Sequence, residues 1–151
     1  MNRRTALRKG AASLTIPVAA MLSPGCTQSQ QSGQRNAVNI HFLEIVTPDV
    51  DGACSLYSMM YGVTFGDADR ALGGARTADL DGGGMLGVRA PLRDTEMPVV
   101  RPYVLVDDIR AAVSAAVDAG AEIAMMPTAI ASYGQFAIVI HGGIESGLWQ
   151  T

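Results

Sequence analysis

The sequence of 151 residues is poor in several residue types on which particular functions depend. Cys26 and Cys54 are the only cysteines, so at most one intramolecular disulfide can form, and we expect none because Cys26 lies in a signal-like segment. Two histidines leave few imidazole ligands for a metal ion. The net charge of −3 argues against nucleic acid as a partner, because phosphate neutralisation needs clustered Lys and Arg.

The beginning of the sequence lacks an apolar run long enough for a transmembrane helix. A weakly apolar stretch follows the basic start MNRRTALRKG, but Pro17 and Pro24 interrupt it. A basic start, a short apolar stretch and then small residues are typical of a bacterial export signal. The pair Arg3 and Arg4 resembles a twin-arginine signal, and residues 1–26 are therefore predicted to be an export signal.

Cys26 ends the segment LSPGC, which resembles a lipoprotein cleavage site. Residues 27–36, TQSQQSGQRN, are polar and almost uncharged, as in a flexible tether. We therefore expect an exported protein that is periplasmic or anchored at the cell envelope by a lipid on Cys26. The alternative, in which Cys26 is an ordinary residue of a discarded segment, stays open.

Two segments repeat one pattern, HFLEIVTPDVDGACSLYSMMYG at residues 41–62 and RPYVLVDDIRAAVSAAVDAG at residues 101–120. Each has a β-forming run, an acidic residue, an amphipathic helical pattern and a glycine. In the first copy, the pattern predicts a strand over 39–46 and a helix that begins after Asp49 and ends at Gly62. The second copy repeats this order.

In the second copy, we predict a strand over 103–106 and a helix between Asp108 and Gly120. The segment AIASYGQ at residues 129–135 predicts a loop at a cleft rim. Shorter β signals follow each helix, at residues 78–80, 85–88, 122–125, 136–140 and 147–150.

We predict the order βαβββ for both copies. A unit with one helix covers only one face of its sheet, so two such units related by a pseudo-twofold axis would curve around a shared cleft. We therefore predict an α+β domain at residues 37–151. Its two βαβββ modules, at about 39–90 and 100–150, would form a concave half-barrel cleft.

This pattern resembles the vicinal oxygen chelate superfamily, which includes glyoxalase I, bleomycin-resistance proteins and extradiol dioxygenases. The matching pieces, EIVTPDVDGACSLYSMMYGVTFG, YVLVDDIRAAVSAAVDAGAEI and GGIESGLWQ, span residues 39–150. The resemblance is greatest to glyoxalase-like bacterial proteins. It implies the glyoxalase-like fold and, in metal-using members, a divalent ion held by one side chain from the first and one from the last strand of each module.

Those four ligand positions do not carry metal ligands in this sequence. Counting back from the acidic residue that ends each first strand gives Phe42 and Arg101, and the last strands give Gly87 and Gly147. Phenylalanine is apolar, glycine has no side chain, and arginine is a permanent cation. No cofactor is therefore expected, and no catalytic or metal-binding residue is carried over from the superfamily.

A metal site with a different register stays open as an alternative. Its candidate ligands would be His41, Glu44, His141 and Glu145. Such a site would make the protein a metal-dependent lyase, isomerase or dioxygenase of this superfamily.

Strand alternation places Glu44 on the same face as Phe42, and Tyr103 on the same face as Arg101. Arg101 would then bind a carboxylate or phosphate-like group, and Glu44 would accept a hydrogen bond from the ligand or act as a base. In the alternative, the two residues pair with each other. Phe42, Tyr103 and Trp149 would line the cleft with aromatic surface, although Trp149 could equally serve only to pack the end of the chain.

The main interpretation is an exported glyoxalase-like domain that binds a small organic molecule in the cleft without a metal. Besides the metal enzyme, two further alternatives stay open. One is a non-catalytic sequestering protein of the bleomycin-resistance kind, in which two chains pair as a homodimer. The other is an accessory lipoprotein. The sequence leaves open whether a reaction is catalysed.

Overall fold

The structure, a computed structural model, describes residues 38–151. The predicted export signal at 1–26, with Cys26, and the predicted tether at 27–36 lie outside the described residues. The described part is α+β, and its elements follow the order βαβββ twice. In this part of the chain, no helix is both long and apolar enough to cross a membrane.

Module 1 contains the first five main elements and a short 3-10 helix. These are β1 (Ile40–Val46), α1 (Val50–Tyr61), β2 (Ala68–Asp69), the 3-10 helix (Arg70–Leu72), β3 (Ala75–Asp79) and β4 (Met85–Arg89). The sequence did not predict β2, because two residues are too few to show an alternating pattern.

Module 2 contains the remaining elements, and its four strands are longer than predicted. These are β5 (Val99–Leu105), α2 (Ile109–Asp118), β6 (Glu122–Ile130), β7 (Gly134–His141) and β8 (Ile144–Gln150). The prediction of a loop over 129–135 is wrong, because β6 continues to Ile130 and only residues 131–133 form the turn.

Both helices begin at the predicted caps. The side chain of Asp49 accepts a hydrogen bond from the backbone N–H of Gly52 at 2.9 Å. Asp108 accepts from the N–H groups that follow it in α2. Gly62 ends α1 in the left-handed conformation, with φ of 69°. The second helix ends at Asp118, slightly before the predicted Gly120.

All strands belong to one sheet of order β2-β3-β4-β1-β5-β8-β7-β6. Each module pairs its first and last strands in parallel, β1 with β4 and β5 with β8. The modules join through the antiparallel pair β1–β5, which we call the seam. Along the seam, Phe42 lies opposite Tyr103, and Glu44 lies opposite Arg101.

The register defines which residues of the two modules are equivalent. Glu44 pairs with Gly87 in module 1, as Tyr103 pairs with Gly147 in module 2. A twofold axis through the seam therefore relates Glu44 to Tyr103. The same axis relates Phe42 to Arg101.

Apolar side chains cover both faces of the sheet. One cluster, which includes Ile45, Cys54 and Leu86, packs beneath α1. A second, of Ile109, Val113 and Ala137, lies beneath α2. Burial raises the pKa of the Cys54 thiol, as expected for a core residue. The third cluster lies on the opposite face and forms part of the candidate site: Phe42, Leu72, Ala75, Tyr103, Ile138 and Trp149.

Candidate functional site

A cavity of about 490 Å³ lies on the concave face of the sheet, with walls from both modules. All five residues predicted to bind a ligand line this cavity: Phe42, Glu44, Arg101, Tyr103 and Trp149. The segment between β4 and β5 supplies part of the remaining wall, including Leu92 and Glu96. Strand alternation thus brings the predicted residues together, while their role in binding stays a prediction.

Glu44 lies at the centre of the charged end of the cavity. Its Oε1 accepts a hydrogen bond from Nε of Arg89 at 2.6 Å. Its Oε2 accepts from Nη1 of Arg101 and from the hydroxyl of Tyr103. Glu44, Arg89 and Arg101 are only 6%, 5% and 5% exposed, so each charge depends on the others for compensation. The ion pair between Glu44 and Arg101, which the sequence left open, is present in the structure.

Two further carboxylates extend this arrangement toward solvent. Nη1 and Nη2 of Arg89 donate to the two oxygens of Glu96 at 2.9 and 2.7 Å. Nε of Arg101 donates to Oε2 of Glu145 at 2.8 Å, and Nη2 of Arg101 donates to the same oxygen. We call the five residues Glu96, Arg89, Glu44, Arg101 and Glu145 the ionic network.

The ionic network shifts the protonation of its members and of Tyr103. The hydrogen bonds from Arg89 lower the pKa of Glu96 to about 2. Burial opposes the charge of Arg101, yet the contacts with Glu145 and Glu44 raise its pKa above the ordinary value. Burial and the adjacent charge of Glu44 raise the pKa of Tyr103. At neutral pH, the Tyr103 hydroxyl is therefore a hydrogen-bond donor beside a fixed set of charges.

Trp149 lies at the centre of the aromatic end and is 1% exposed. Its ring centroid is 5.5 Å from that of Phe42, 5.7 Å from that of Tyr103 and 6.4 Å from that of Phe136. Its Nε1 donates to the backbone carbonyl of Tyr133 at 2.9 Å. Trp149 therefore packs the last strand onto the sheet and also lines the cavity.

Tyr133, in the turn between β6 and β7, connects opposite ends of the curved sheet. Its hydroxyl donates to Oδ2 of Asp69 in β2 at 2.7 Å. This bond lowers the pKa of Asp69. Since β2 and β6 are the two edge strands, the bond holds the ends of the sheet toward each other around the cavity.

The four positions at which the superfamily places metal ligands do not fit a divalent ion in this structure. A Cβ atom on Gly87 would lie 2.4 Å from ring atoms of Phe42, so that ring fills the space above Gly87. The ring of Tyr103 fills the space above Gly147 in the same way, at 2.1 Å. Arg101 brings a positive charge. No side chain at these positions offers a lone pair to a cation.

The alternative ligands are not brought together either. His41 packs on Trp149, with ring centroids 5.4 Å apart. Nδ1 of His141 lies 3.2 Å from the carbonyl oxygen of Gly120. Glu44 and Glu145 both bind Arg101. Within residues 38–151, no group of three or more His, Cys, Asp or Glu is arranged to hold a metal ion.

Arg89 and Glu96 were not predicted from the sequence, and Glu145 was considered only as a metal ligand. Two of these could have been found by alternation. Arg89 follows Gly87 by two positions, and Glu145 precedes Gly147 by two, so each shares the concave face with its glycine. Glu96 lies between the modules, where no periodic pattern indicates its direction.

No family model matches the sequence, and no curated protein matches it. Solved structures with the same fold include hypothetical protein BH1468 from Bacillus halodurans C-125, with a TM-score of 0.59 and 14% identity over 76% of this chain and 95% of that chain. Methylmalonyl-CoA epimerase from Mycobacterium tuberculosis has a TM-score of 0.55 and 17% identity, over 75% of this chain and 86% of that chain.

A Streptomyces coelicolor methylmalonyl-CoA epimerase in complex with 2-nitronate-propionyl-CoA has a TM-score of 0.54 and 18% identity, over 76% of this chain and 99% of that chain. The epimerase belongs to the vicinal oxygen chelate superfamily. At these identities the likeness shows the fold alone. The predicted glyoxalase-like fold, with two βαβββ modules in an open curved sheet, is thereby confirmed.

Proposed function

We propose that the protein binds a small organic molecule in the cavity between its modules, and that it does so without a divalent ion. The observation that carries this proposal is the cavity itself. Its volume of about 490 Å³ is within the range of small-molecule sites, and it joins an aromatic wall to fixed polar groups. In the Streptomyces coelicolor epimerase, a propionyl-CoA derivative is bound within the same fold.

The energetics of the ionic network support a role beyond folding. Replacing a buried set of ion pairs by apolar side chains often leaves stability unchanged or increases it. A chain that needed only a stable sheet would therefore gain little from five charged side chains at this place. Their position on a cavity wall fits ligand recognition, where buried polar groups give selectivity.

Binding is favoured over proton transfer by the surroundings of Glu44. Both of its oxygens accept hydrogen bonds from guanidinium groups, and one also accepts from Tyr103. A general base must have a lone pair within reach of the proton that it removes. If Glu44 took a proton from a ligand, it would lose the charge that compensates Arg89 and Arg101, at a substantial cost in a buried place.

The only tryptophan gives a direct test of binding, because Trp149 lines the cavity. The probe is 3-phenylpropionamide, and the measurements are Trp149 fluorescence and isothermal titration calorimetry. Ala124 and Ala129 are exposed residues of β6, and of the two only Ala124 lines the cavity. We expect Ala124→Phe to weaken binding about tenfold or more, while the control Ala129→Phe leaves it unchanged.

Elemental mass spectrometry of the protein purified without chelator tests the absence of metal. We expect no stoichiometric divalent ion, and no change of Trp149 fluorescence on adding manganese or zinc. One ion per chain would favour the metal-dependent enzyme instead.

In the binding experiment, equal affinity of Ala124→Phe and Ala129→Phe for 3-phenylpropionamide would place this probe outside the cavity.

Export and anchoring form a separate part of the proposal, supported only by the first 36 residues of the sequence. If a lipid on Cys26 holds the protein at the envelope, Cys26→Ala should move the protein from the membrane fraction to the soluble fraction of cells. An unchanged distribution would remove the anchor from the proposal.

A further inference from the structure

We infer that the ligand carries a carboxylate, and that this carboxylate binds Arg101 in the place that Glu145 occupies in the free protein. This inference rests on the proposed function and specifies the ligand class of the same cavity. It depends on differences within the ionic network, whose three carboxylates are not held equally.

Glu145 is the most weakly held of the three carboxylates. Its side chain is 36% exposed, compared with 20% for Glu96 and 7% for Glu44. Glu96 uses both oxygens for Arg89 and also accepts from the backbone N–H of Leu92. Glu145 binds Arg101 through Oε2 alone. An exposed ion pair with few hydrogen bonds is the least costly to break.

Arg101 presents to Glu145 the edge of its guanidinium that is best suited to a carboxylate. Nε and Nη2 point the same way and can donate to two oxygens in parallel. Glu145 takes both hydrogen bonds on one oxygen and leaves this bidentate geometry unused. Nη1 stays bound to Glu44, which keeps the guanidinium oriented when the outer edge is free.

The charges of the ionic network favour exchange over simple addition. Three carboxylates face two guanidiniums, so the network already carries one excess negative charge. A ligand carboxylate that entered beside Glu145 would increase this excess in a partly buried place. If the ligand carboxylate displaces Glu145 from Arg101, the charge around Arg101 stays unchanged, and the released Glu145 side chain can turn into solvent.

The remainder of the ligand would lie against the apolar wall beyond Arg101. Tyr103 follows Arg101 by two positions on the same face of β5, and Trp149, Phe136 and Ile138 continue the wall. An aromatic or branched aliphatic body is complementary to this surface. The ligand class is therefore a small carboxylic acid with an apolar body.

Three probes of similar shape and different charge test this inference: 3-phenylpropionate, 3-phenylpropionamide and 3-phenylpropylamine. Titration calorimetry with wild-type protein and the Glu145→Gln variant measures their affinities. In Glu145→Gln, the neutral Gln side chain competes more weakly for Arg101 than Glu145 does. We therefore expect 3-phenylpropionate to bind this variant about tenfold more tightly than it binds the wild type. The affinities of 3-phenylpropionamide for the wild type and for Glu145→Gln should differ by no more than about twofold.

Glu122 provides the matched control, because it is exposed in β6 and does not line the cavity. The variant Glu122→Gln should bind all three probes as wild type does. Thermal unfolding of Glu145→Gln without probe shows whether the variant is folded.

Four outcomes would overturn the inference. Unchanged or weaker carboxylate binding by folded Glu145→Gln shows that Glu145 does not compete for Arg101. Tighter binding of the amine than of the carboxylate assigns the opposite charge class. If the amide binds as well as the carboxylate to both proteins, the proposed function stands and only the carboxylate class fails. If no probe binds either protein, the proposed function fails as well.

Discussion

The two modules share one backbone plan and differ at the positions that matter for the cavity. At one pair of equivalent positions, module 1 has Phe42 and module 2 has Arg101; at the other, module 1 has Glu44 and module 2 has Tyr103. Each module thus contributes one aromatic and one charged side chain, in opposite order along the strand. Because the seam is antiparallel, this reversal places aromatic beside aromatic and charge beside charge.

Identical modules would not produce this separation. With Phe and Glu at both pairs of positions, each aromatic side chain would lie opposite a carboxylate, and Glu44 would lose its contacts with Arg101 and Tyr103. The divergence between the modules therefore divides the cavity into a charged end and an aromatic end.

The largest expected effect comes from removing the one carboxylate that both guanidiniums share. Glu44→Gln leaves Arg89 and Arg101 buried without a common counter-charge. We expect the free energy of unfolding to fall by about 3–5 kcal/mol, measured by urea denaturation. The exposed substitution Glu122→Gln serves as the control. A loss below about 1 kcal/mol would show that the two arginines do not depend on Glu44 for compensation.

An intermediate effect should come from the glycines that the two modules have in common. Gly147→Ala would place its Cβ within 2.3 Å of Cγ of Tyr103, close to the backbone, where the ring cannot move away. Gly87→Ala would instead meet Cε2 and Cζ of Phe42, the far end of a ring that can move. We expect losses of about 1–3 kcal/mol, with the larger loss for Gly147→Ala.

Gly66 is the control for this comparison. A Cβ atom there would lie 3.8 Å from the nearest atom, the carbonyl oxygen of Thr77, which is an ordinary contact. Gly66→Ala should be neutral or slightly stabilising in the same denaturation experiment. Equal losses in the free energy of unfolding for Gly87→Ala and Gly147→Ala would show that the rings of Phe42 and Tyr103 are equally free to shift.

The smallest effect should appear at Glu96, in the segment that joins the modules. The pKa of Glu96 is lowered from 4.5 to about 2 in the folded protein. Its stabilising contribution is therefore complete above pH 4.5 and is lost as the pH falls toward 2. Glu96→Gln should cost about 1–2 kcal/mol at neutral pH and almost nothing near pH 2.

Thermal unfolding of wild type and Glu96→Gln across this pH range measures the difference. The control Glu122→Gln should follow the wild-type pH profile. If the wild type and Glu96→Gln differ by the same amount at every pH, the charge of Glu96 does not stabilise the fold.

Much of the fold could be predicted because its signals are local. Asp49 and Asp108 accept hydrogen bonds at the helix starts as expected, and strand alternation placed Glu44 and Arg101 on one face. The predicted extent of β6 was wrong, because the strand continues through Pro127 to Ile130. As β6 is an edge strand, a missing N–H group there need not remove a ladder hydrogen bond.

The start of β5 was also misplaced. The strand was predicted to begin at residue 103, yet it begins at Val99 and includes Pro102. β8 pairs with β5 only from Tyr103 onward, so Pro102 has a strand neighbour on one side alone. The position of Glu96 could not be predicted, because it depends on the path of an irregular segment that tertiary contacts determine.

The seam also affects how fast the protein reaches its native state. β1 is the first strand in the described part of the chain, yet its partners β4 and β5 come about 40 and 60 residues later. Strand pairing over such separations is slow compared with forming local hairpins or helices. Until β5 reaches β1, the edge of β1 remains unpaired. This interval is when a folding chain is most exposed to pairing with a second copy of itself.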